Sequence, residues 1–224
     1  MNAPQIIFDF LPQKSFLQDD FIVSPSNIDA YRMVTSWPRL WENKCLVLCG
    51  EKACGKSYLS KIWQEISGAK IIDLDKFDEN NTRLFNGPKP VNIIIEDIEK
   101  FLPAREETIF HIYNNVINSK GSILFTTSKP LLSLDVKLPD LRSRLGAAGV
   151  ANIMQPDNEL LKGLVFKQFS DLQIHVPMNL VEFLVPRIER SFEGVVKIVE
   201  LINRKSLEGK RSVTIPFVKE ILGL

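Results

Sequence analysis

The residues with the clearest chemical meaning are residues 50–57, Gly-Glu-Lys-Ala-Cys-Gly-Lys-Ser, which fit the spacing G-x-x-x-x-G-K-[ST]. Gly50 and Gly55 let the backbone curl so that successive N–H groups converge on phosphate oxygens. Lys56 stands where an ammonium reaches the β and γ phosphates, and Ser57 where a hydroxyl ligates Mg²⁺. The helix that begins here adds the positive end of its dipole. Lys52, Ala53, Cys54 and Tyr58 complete the stretch expected to lie against a nucleotide, ADP or ATP. A second charged pair, Glu96 and Asp97, follows an apolar run at 91–95. A carboxylate at the first of these places holds Mg²⁺ through its water shell, together with Ser57, and the next acid can polarise an attacking water.

These groups need a sheet and helices to place them. Residues 45–49 read as a buried strand directly before the loop, and Leu59, Ile62, Trp63 and Ile66 recur at helical spacing after it. The unbroken apolar run at 91–95 suits a parallel strand covered on both faces. Residues 70–74, 122–125 and 151–154 read as the remaining strands. Residues 106–118 form an amphipathic helix with Ile109, Ile112, Tyr113 and Val116 on its apolar side, and His111 is a packing or surface residue. The leader at 21–31 is extended, then turns at Ser24-Pro25 into a helix capped by Ser26 or Asn27. Residues 77–90 are a polar connection, broken by Asn80-Asn81 and Asn86-Gly87-Pro88. Beyond Gln155-Pro156-Asp157 every pattern is helical, with Leu160, Leu161, Leu164, Val165 and Phe169 on one helix and Val195, Ile198, Val199 and Ile202 on another. The expected architecture is an α/β P-loop core with a five-stranded parallel sheet at 21–155 and a small all-α lid at 156–224. The nucleotide is expected at the carboxyl ends of the strands.

At 224 residues, 45% hydrophobic and 25% charged, the chain can bury a sizeable core unaided. A net charge of +1 gives no whole-molecule field that would argue for nucleic acid, so any DNA contact must be local or indirect. Cys45, Cys49 and Cys54 show no zinc-knuckle spacing and read as reduced thiols of a cytoplasmic protein, the first two packing as small apolar residues in the strand. No apolar run approaches the length of a membrane span, and no membrane partner is expected. Arg204, Lys205, Lys210 and Arg211 form a basic cluster that reads as a solvated face.

Several segments together resemble the DnaA/Hda family of AAA+ proteins: the leader F-I-V-x-x-x-N-x-x-A-Y, the phosphate loop that follows it, and Pro139-Asp140-Leu141-Arg142-Ser143-Arg144-Leu145, similar to the family's L-x-S-R-[FL] box. Residues 214–222, Thr-Ile-Pro-Phe-Val-Lys-Glu-Ile-Leu, match the end of the lid in the Hda branch closely. The resemblance implies that Ile22 and Val23 lie against the adenine. It also implies that Arg144 is an arginine finger for a neighbouring subunit's nucleotide, where a planar, permanently charged guanidinium suits phosphate oxygens. Residues 126–130, Thr-Thr-Ser-Lys-Pro, are similar to the family's sensor 1 segment T-S-D-R-P, with Ser128 at the Asp place, where its hydroxyl can still donate near the γ-phosphate. Residues 190–194 are similar to the sensor 2 segment, whose arginine, here Arg190, bends from the lid onto the phosphates. Two departures stand out. Glu96 replaces the usual Asp, which puts hydrolysis in cis in doubt, and Ala53 replaces a glycine, which should narrow the loop's backbone freedom. The short connection at 77–90 lacks the extra helix of the initiators.

The N-terminal residues 1–20 read as a mobile tail. Within it Gln5, Ile6, Phe8 and Phe10 resemble the Q-L-x-L-x-[LF] peptide that docks on the DNA polymerase sliding clamp, a glutamine amide anchoring one end while alternate apolar side chains fill a groove. The resemblance thus implies a regulator of replication initiation, bound to DNA indirectly through the clamp (the β subunit) and therefore nucleoid-associated, that presents Arg144 to ATP held by the DnaA initiator. A homodimer is compatible with the same features. An ATP-dependent DNA-binding initiator- or loader-like protein, or an autonomous AAA+ ATPase, remain as alternatives.

Overall fold

The computed structural model describes residues 21–41, 43–77, 82–85 and 87–224, so the clamp-type peptide at 5–10 and the Asn80-Asn81 pair lie outside the described residues. The elements run in the order α1 (Ile28–Thr35), β1 (Cys45–Cys49), α2 (Lys56–Ser67), β2 (Lys70–Ile71), β3 (Ile93–Ile95), α3 (Glu106–Asn118), β4 (Ile123–Thr127), α4 (Pro139–Gly146) and β5 (Gly149–Asn152). Four helices follow: α5 (Asn158–Asp171), α6 (Met178–Leu184), α7 (Phe192–Gly209) and α8 (Ile215–Leu222). The five strands make one parallel sheet in the order β2-β3-β4-β1-β5.

Alternation along the strands decides which side chains face which layer. Cys45, Val47, Ile93, Ile95, Ile123 and Phe125 point to one face and pack with Ile109, Ile112 and Tyr113 of α3 and Leu141 and Leu145 of α4. Leu46, Leu48, Ile94 and Leu124 point to the other and meet Ala30 and Val34 of α1 and Leu59, Ile62 and Trp63 of α2. Both faces are covered, so the central strands carry no polar side. Cys45 and Cys49 are buried apolar-like residues of β1, as their setting suggested. A third cluster, Leu161, Val165 and Phe169 with Leu180, Leu184, Val195, Val199, Ile202 and Phe217, holds α5 to α8 together.

Several boundaries differ from the sequence reading. The second strand is Lys70–Ile71 rather than 70–74, because it lies at the sheet edge with one neighbour, leaving Ile71 43% exposed. The third strand shortens to Ile93–Ile95, the fourth extends to Thr127, and the last shifts to Gly149–Asn152. Asn27 is the residue before α1, yet its side chain does not cap the helix. It braces the leader instead, accepting from Ser24 N–H at 2.9 Å and donating to the Ile22 carbonyl at 3.0 Å. His111 is exposed on α3 beside Phe110. In the basic cluster at the end of α7, Lys205 pairs with Glu208 and Arg211 with Glu220.

Candidate functional site

The phosphate loop joins β1 to α2 at the carboxyl edge of the sheet. Gly50 leaves the strand by donating to the Thr127 carbonyl at 3.1 Å, and a Cβ there would sit 2.7 Å from the Ile153 carbonyl oxygen, a contact only glycine avoids. Gly55 takes φ +107 immediately before α2, outside the range open to other residues. Ala53 also adopts a left-handed backbone, φ +60. It follows a glycine-like path, at a strain of roughly 1–2 kcal/mol.

Lys56 is buried at 7% exposure, and its ammonium donates to the Gly50 carbonyl at 2.7 Å and the Glu51 carbonyl at 2.8 Å. The cation is thus folded back across the loop it belongs to. Ser57 is exposed in the first turn of α2, at the positive end of that helix. Glycine-shaped curvature, a lysine aimed into the concavity and an exposed hydroxyl at the helix start fit a Mg²⁺-nucleotide phosphate chain. Lys52 is exposed at the rim. Cys54 lies against Gly50, its thiol pushed up by burial and only partly offset by Lys56. Burial likewise raises Cys49, whose thiol also feels Lys56 and Glu99. All three cysteines are free thiols.

The leader lies across the loop. Phe21 is the ring nearest to Gly55, at 3.9 Å from where a Cβ there would stand; it stacks on Tyr31 at 5.4 Å and tilts against Tyr58 at 5.4 Å. Ile22 packs against Gly163 of α5, and Val23 is 41% exposed. The sequence reading chose Ile22 and Val23 and passed over Phe21 and Tyr31. An aromatic ten residues before another gave no signal until α1 brought both beside Tyr58.

Glu96 and Asp97 leave β3 at the same edge and diverge. Glu96 is half-buried and makes no hydrogen bond or ion pair among the described residues. Asp97 turns into a left-handed conformation, φ +51, its N–H donating to Thr126 Oγ1 at 2.9 Å while its carboxylate pairs with Lys100. Ser128 is also engaged. Its N–H, at 2.8 Å, and its O–H both donate to Glu99 Oε1. Glu99 was not foreseen. Burial pushes its carboxyl up, the two Ser128 hydrogen bonds pull it further down, and it rests below the ordinary value while Oε2 is buried without a partner. In the sequence it looks like one more acid opening a helical turn.

The helical region reaches the loop directly. Phe192 N–H, at the start of α7, donates to the Ala53 carbonyl at 3.2 Å. Arg190 donates to Asn158 Oδ1 at 2.8 Å and the Pro156 carbonyl at 2.9 Å, so its guanidinium is held by the connection into α5. Gln155 reaches Glu51 at 2.9 Å.

Arg144 lies elsewhere. It stands exposed in the last turn of α4, 5.7 Å over the Tyr113 ring, and lines a cavity of about 290 Å³ with Asn43 and Lys44. Asn43 and Lys44 precede β1 and Gly50 follows it, so five residues of strand, roughly 15 Å, separate Arg144's surroundings from the phosphate loop. Buried Glu106 positions α4 by accepting the N–H groups of Lys137, at 2.7 Å, and Leu138. Among the described residues no cluster of His, Cys, Asp and Glu is arranged to hold a metal ion by itself, and no helix is long and apolar enough to cross a membrane.

Residues 164–222 match the family described as "Hda, lid domain". The whole fold is similar to domain III of the Thermotoga maritima replication initiation protein DnaA, with a TM-score of 0.76 and 16% identity over 93% of this chain and 95% of that one. It is also similar to AMPPCP-bound DnaA from Aquifex aeolicus, with a TM-score of 0.69 and 20% identity over 90% and 68%. The Thermotoga maritima RuvB Holliday junction branch migration motor matches at 0.64 and 16% over 80% and 60%. At these identities the likeness establishes the fold, an α/β core with a parallel sheet followed by a helical region.

Proposed function

We propose that the chain is a DnaA-related, Hda-like AAA+ protein, and that it is a nucleotide-binding negative regulator of replication initiation that acts on the nucleotide of another protein. The observation that carries the reading is the separation of Arg144 from this chain's own phosphate loop by the length of β1. A guanidinium on the amino edge cannot reach phosphates held at the carboxyl edge of the same sheet. It is exposed, without an anionic partner among the described residues, and steadied by Tyr113 and by the Glu106 anchor of α4. That is the disposition of an arginine offered in trans.

The chain's own nucleotide, ADP or ATP with Mg²⁺, serves here as a brace. Backbone N–H groups of residues 50–57, Lys56 and Ser57 hold it, Phe21, Ile22, Val23 and Tyr58 border it, and the Phe192–Ala53 hydrogen bond passes its presence to the lid. Ser57, and Glu96 through water, would hold Mg²⁺, which would supply neutralisation of the phosphate charge. Asp97, tied to Lys100, and Ser128, tied to Glu99, are both committed to protein partners, which favours weak hydrolysis in cis. The partner that supplies the ATP is the DnaA initiator, and Gln5, Ile6, Phe8 and Phe10 tether the chain to the DNA-loaded sliding clamp. The protein would then work in the cytoplasm, at the nucleoid.

The test adds this protein and DNA-loaded clamp to ATP-bound DnaA. Hydrolysis should rise by roughly 10³-fold or more. No stimulation, or stimulation that survives Arg144→Ala, overturns the reading. Deleting residues 1–11 should abolish clamp binding while leaving nucleotide affinity unchanged.

A further inference from the structure

The amino edge of the sheet holds a second concave site, beside Arg144 but not part of the proposed action on DnaA. A cleft of about 480 Å³ opens there, with walls that include Trp37, Pro38 and Pro90 and with Lys44, Lys89 and Lys120 around it. Its uncharged polar side chains already have partners within the fold. Ser122 Oγ accepts the Trp37 indole N–H at 3.0 Å, and the Asn92 amide accepts from Ser122 N–H at 2.8 Å and donates to the Ser67 carbonyl at 2.9 Å. The three ammonium groups are exposed. Lys44 spends one donor on the Lys120 carbonyl at 3.3 Å, and Lys89 and Lys120 make no ion pair among the described residues. No carboxylate lines the cleft among the described residues, in a chain whose net charge is only +1. Lys44 also lines the adjoining cavity that contains Tyr113 and Arg144, so the basic strip is continuous.

We propose that this cleft binds single-stranded nucleic acid, with phosphates on Lys44, Lys89 and Lys120 and an unstacked base against Trp37 and the two prolines. The walls favour a base over an acidic peptide. Trp37 is fixed by its bond to Ser122 and by an edge contact to Trp63 at 6.0 Å, and two prolines add rigid apolar surface, a setting that suits a flat ring. A duplex keeps its bases stacked and cannot fill the cleft.

The chain's own fluorophores make the test direct. Its three tryptophans form one cluster, Trp37 and Trp41 lining the cleft and Trp63 behind them, with Trp41 stacking on Trp63 at 4.8 Å, so intrinsic emission reports this place. Titration of the full chain with a short oligothymidylate in saturating ADP and Mg²⁺ should give saturable quenching. Three phosphate contacts at about 0.7 each predict that log K falls with log salt at a slope of about −2. Lys89→Ala and Lys120→Ala, at exposed positions, should each flatten that slope by about 0.7, and Trp37→Leu should weaken binding by roughly 5- to 100-fold. Absence of quenching, a slope unchanged in both lysine variants, or equal competition by duplex of the same length or by polyglutamate overturns the proposal. Neither DnaA nor the clamp is present, so failure here leaves the Arg144 reading untouched, and the reverse.

Discussion

The two edges of the sheet treat their cations in opposite ways. At the carboxyl edge Lys56 and Arg190 spend their donors on the chain's own carbonyl and amide oxygens, and Asp97, Ser128 and Glu99 close on protein partners. At the amino edge Arg144, Lys89 and Lys120 stand exposed and unpaired among the described residues, beside Tyr113 and Trp37. The first edge is wired inward, as suits a group that holds a ligand to stiffen the fold. The second faces outward, and a charge left without an internal partner is available to another molecule.

The sharpest way to break that contrast is to exchange the losses. Arg144→Ala should remove the stimulation of DnaA hydrolysis, roughly 10³-fold, with no change in nucleotide affinity, whereas Lys56→Ala should abolish nucleotide binding in equilibrium dialysis. If Arg144→Ala weakened nucleotide binding, the edges would not be separate. Next in size, Gly50→Ala forces a Cβ against the Ile153 carbonyl and should cost about 2 kcal/mol in urea denaturation, with reduced nucleotide affinity.

Ser128→Ala tests the closed state of the carboxyl edge by pH. The Glu99 carboxyl is depressed in the folded protein, so its contribution is present above the ordinary carboxylate range and is lost as pH falls through the lower folded value. Removing the Ser128 hydroxyl should cost about 1 kcal/mol at neutral pH, and the gap to wild type should close as pH falls below the ordinary carboxylate range, through the lowered value of the folded protein. A gap independent of pH would mean that the hydroxyl does not act through Glu99. The smallest effect concerns the loop itself. Ala53→Gly relieves the left-handed strain but adds unfolded-state freedom, for a net gain of about 0.5 kcal/mol by thermal denaturation. A loss would show that the alanine is not strained.

How much of this was legible in the residues depends on how local the chemistry is. The phosphate loop needs neighbours in sequence only, so its glycines, lysine and serine could be read directly, as could helix α3, whose apolar positions repeat at 3.6. Glu99 could not, because its partner Ser128 comes from another strand end, and parallel pairing of β3 with β4 brings the two turns together. Phe21 was passed over for the same reason, since its packing with Tyr31 and Tyr58 depends on α1 lying beside α2.

Local spacing alone determined that this chain has a nucleotide-type loop, a parallel sheet and a helical C-terminal region, because backbone conformation and alternating burial are set by near neighbours. Only the tertiary structure decided which cations face inward and which outward. Arg144 and Lys56 are both basic residues within motif-like stretches of the sequence, and it is the length of β1 between them, with every strand pointing the same way, that puts one at each end of the sheet.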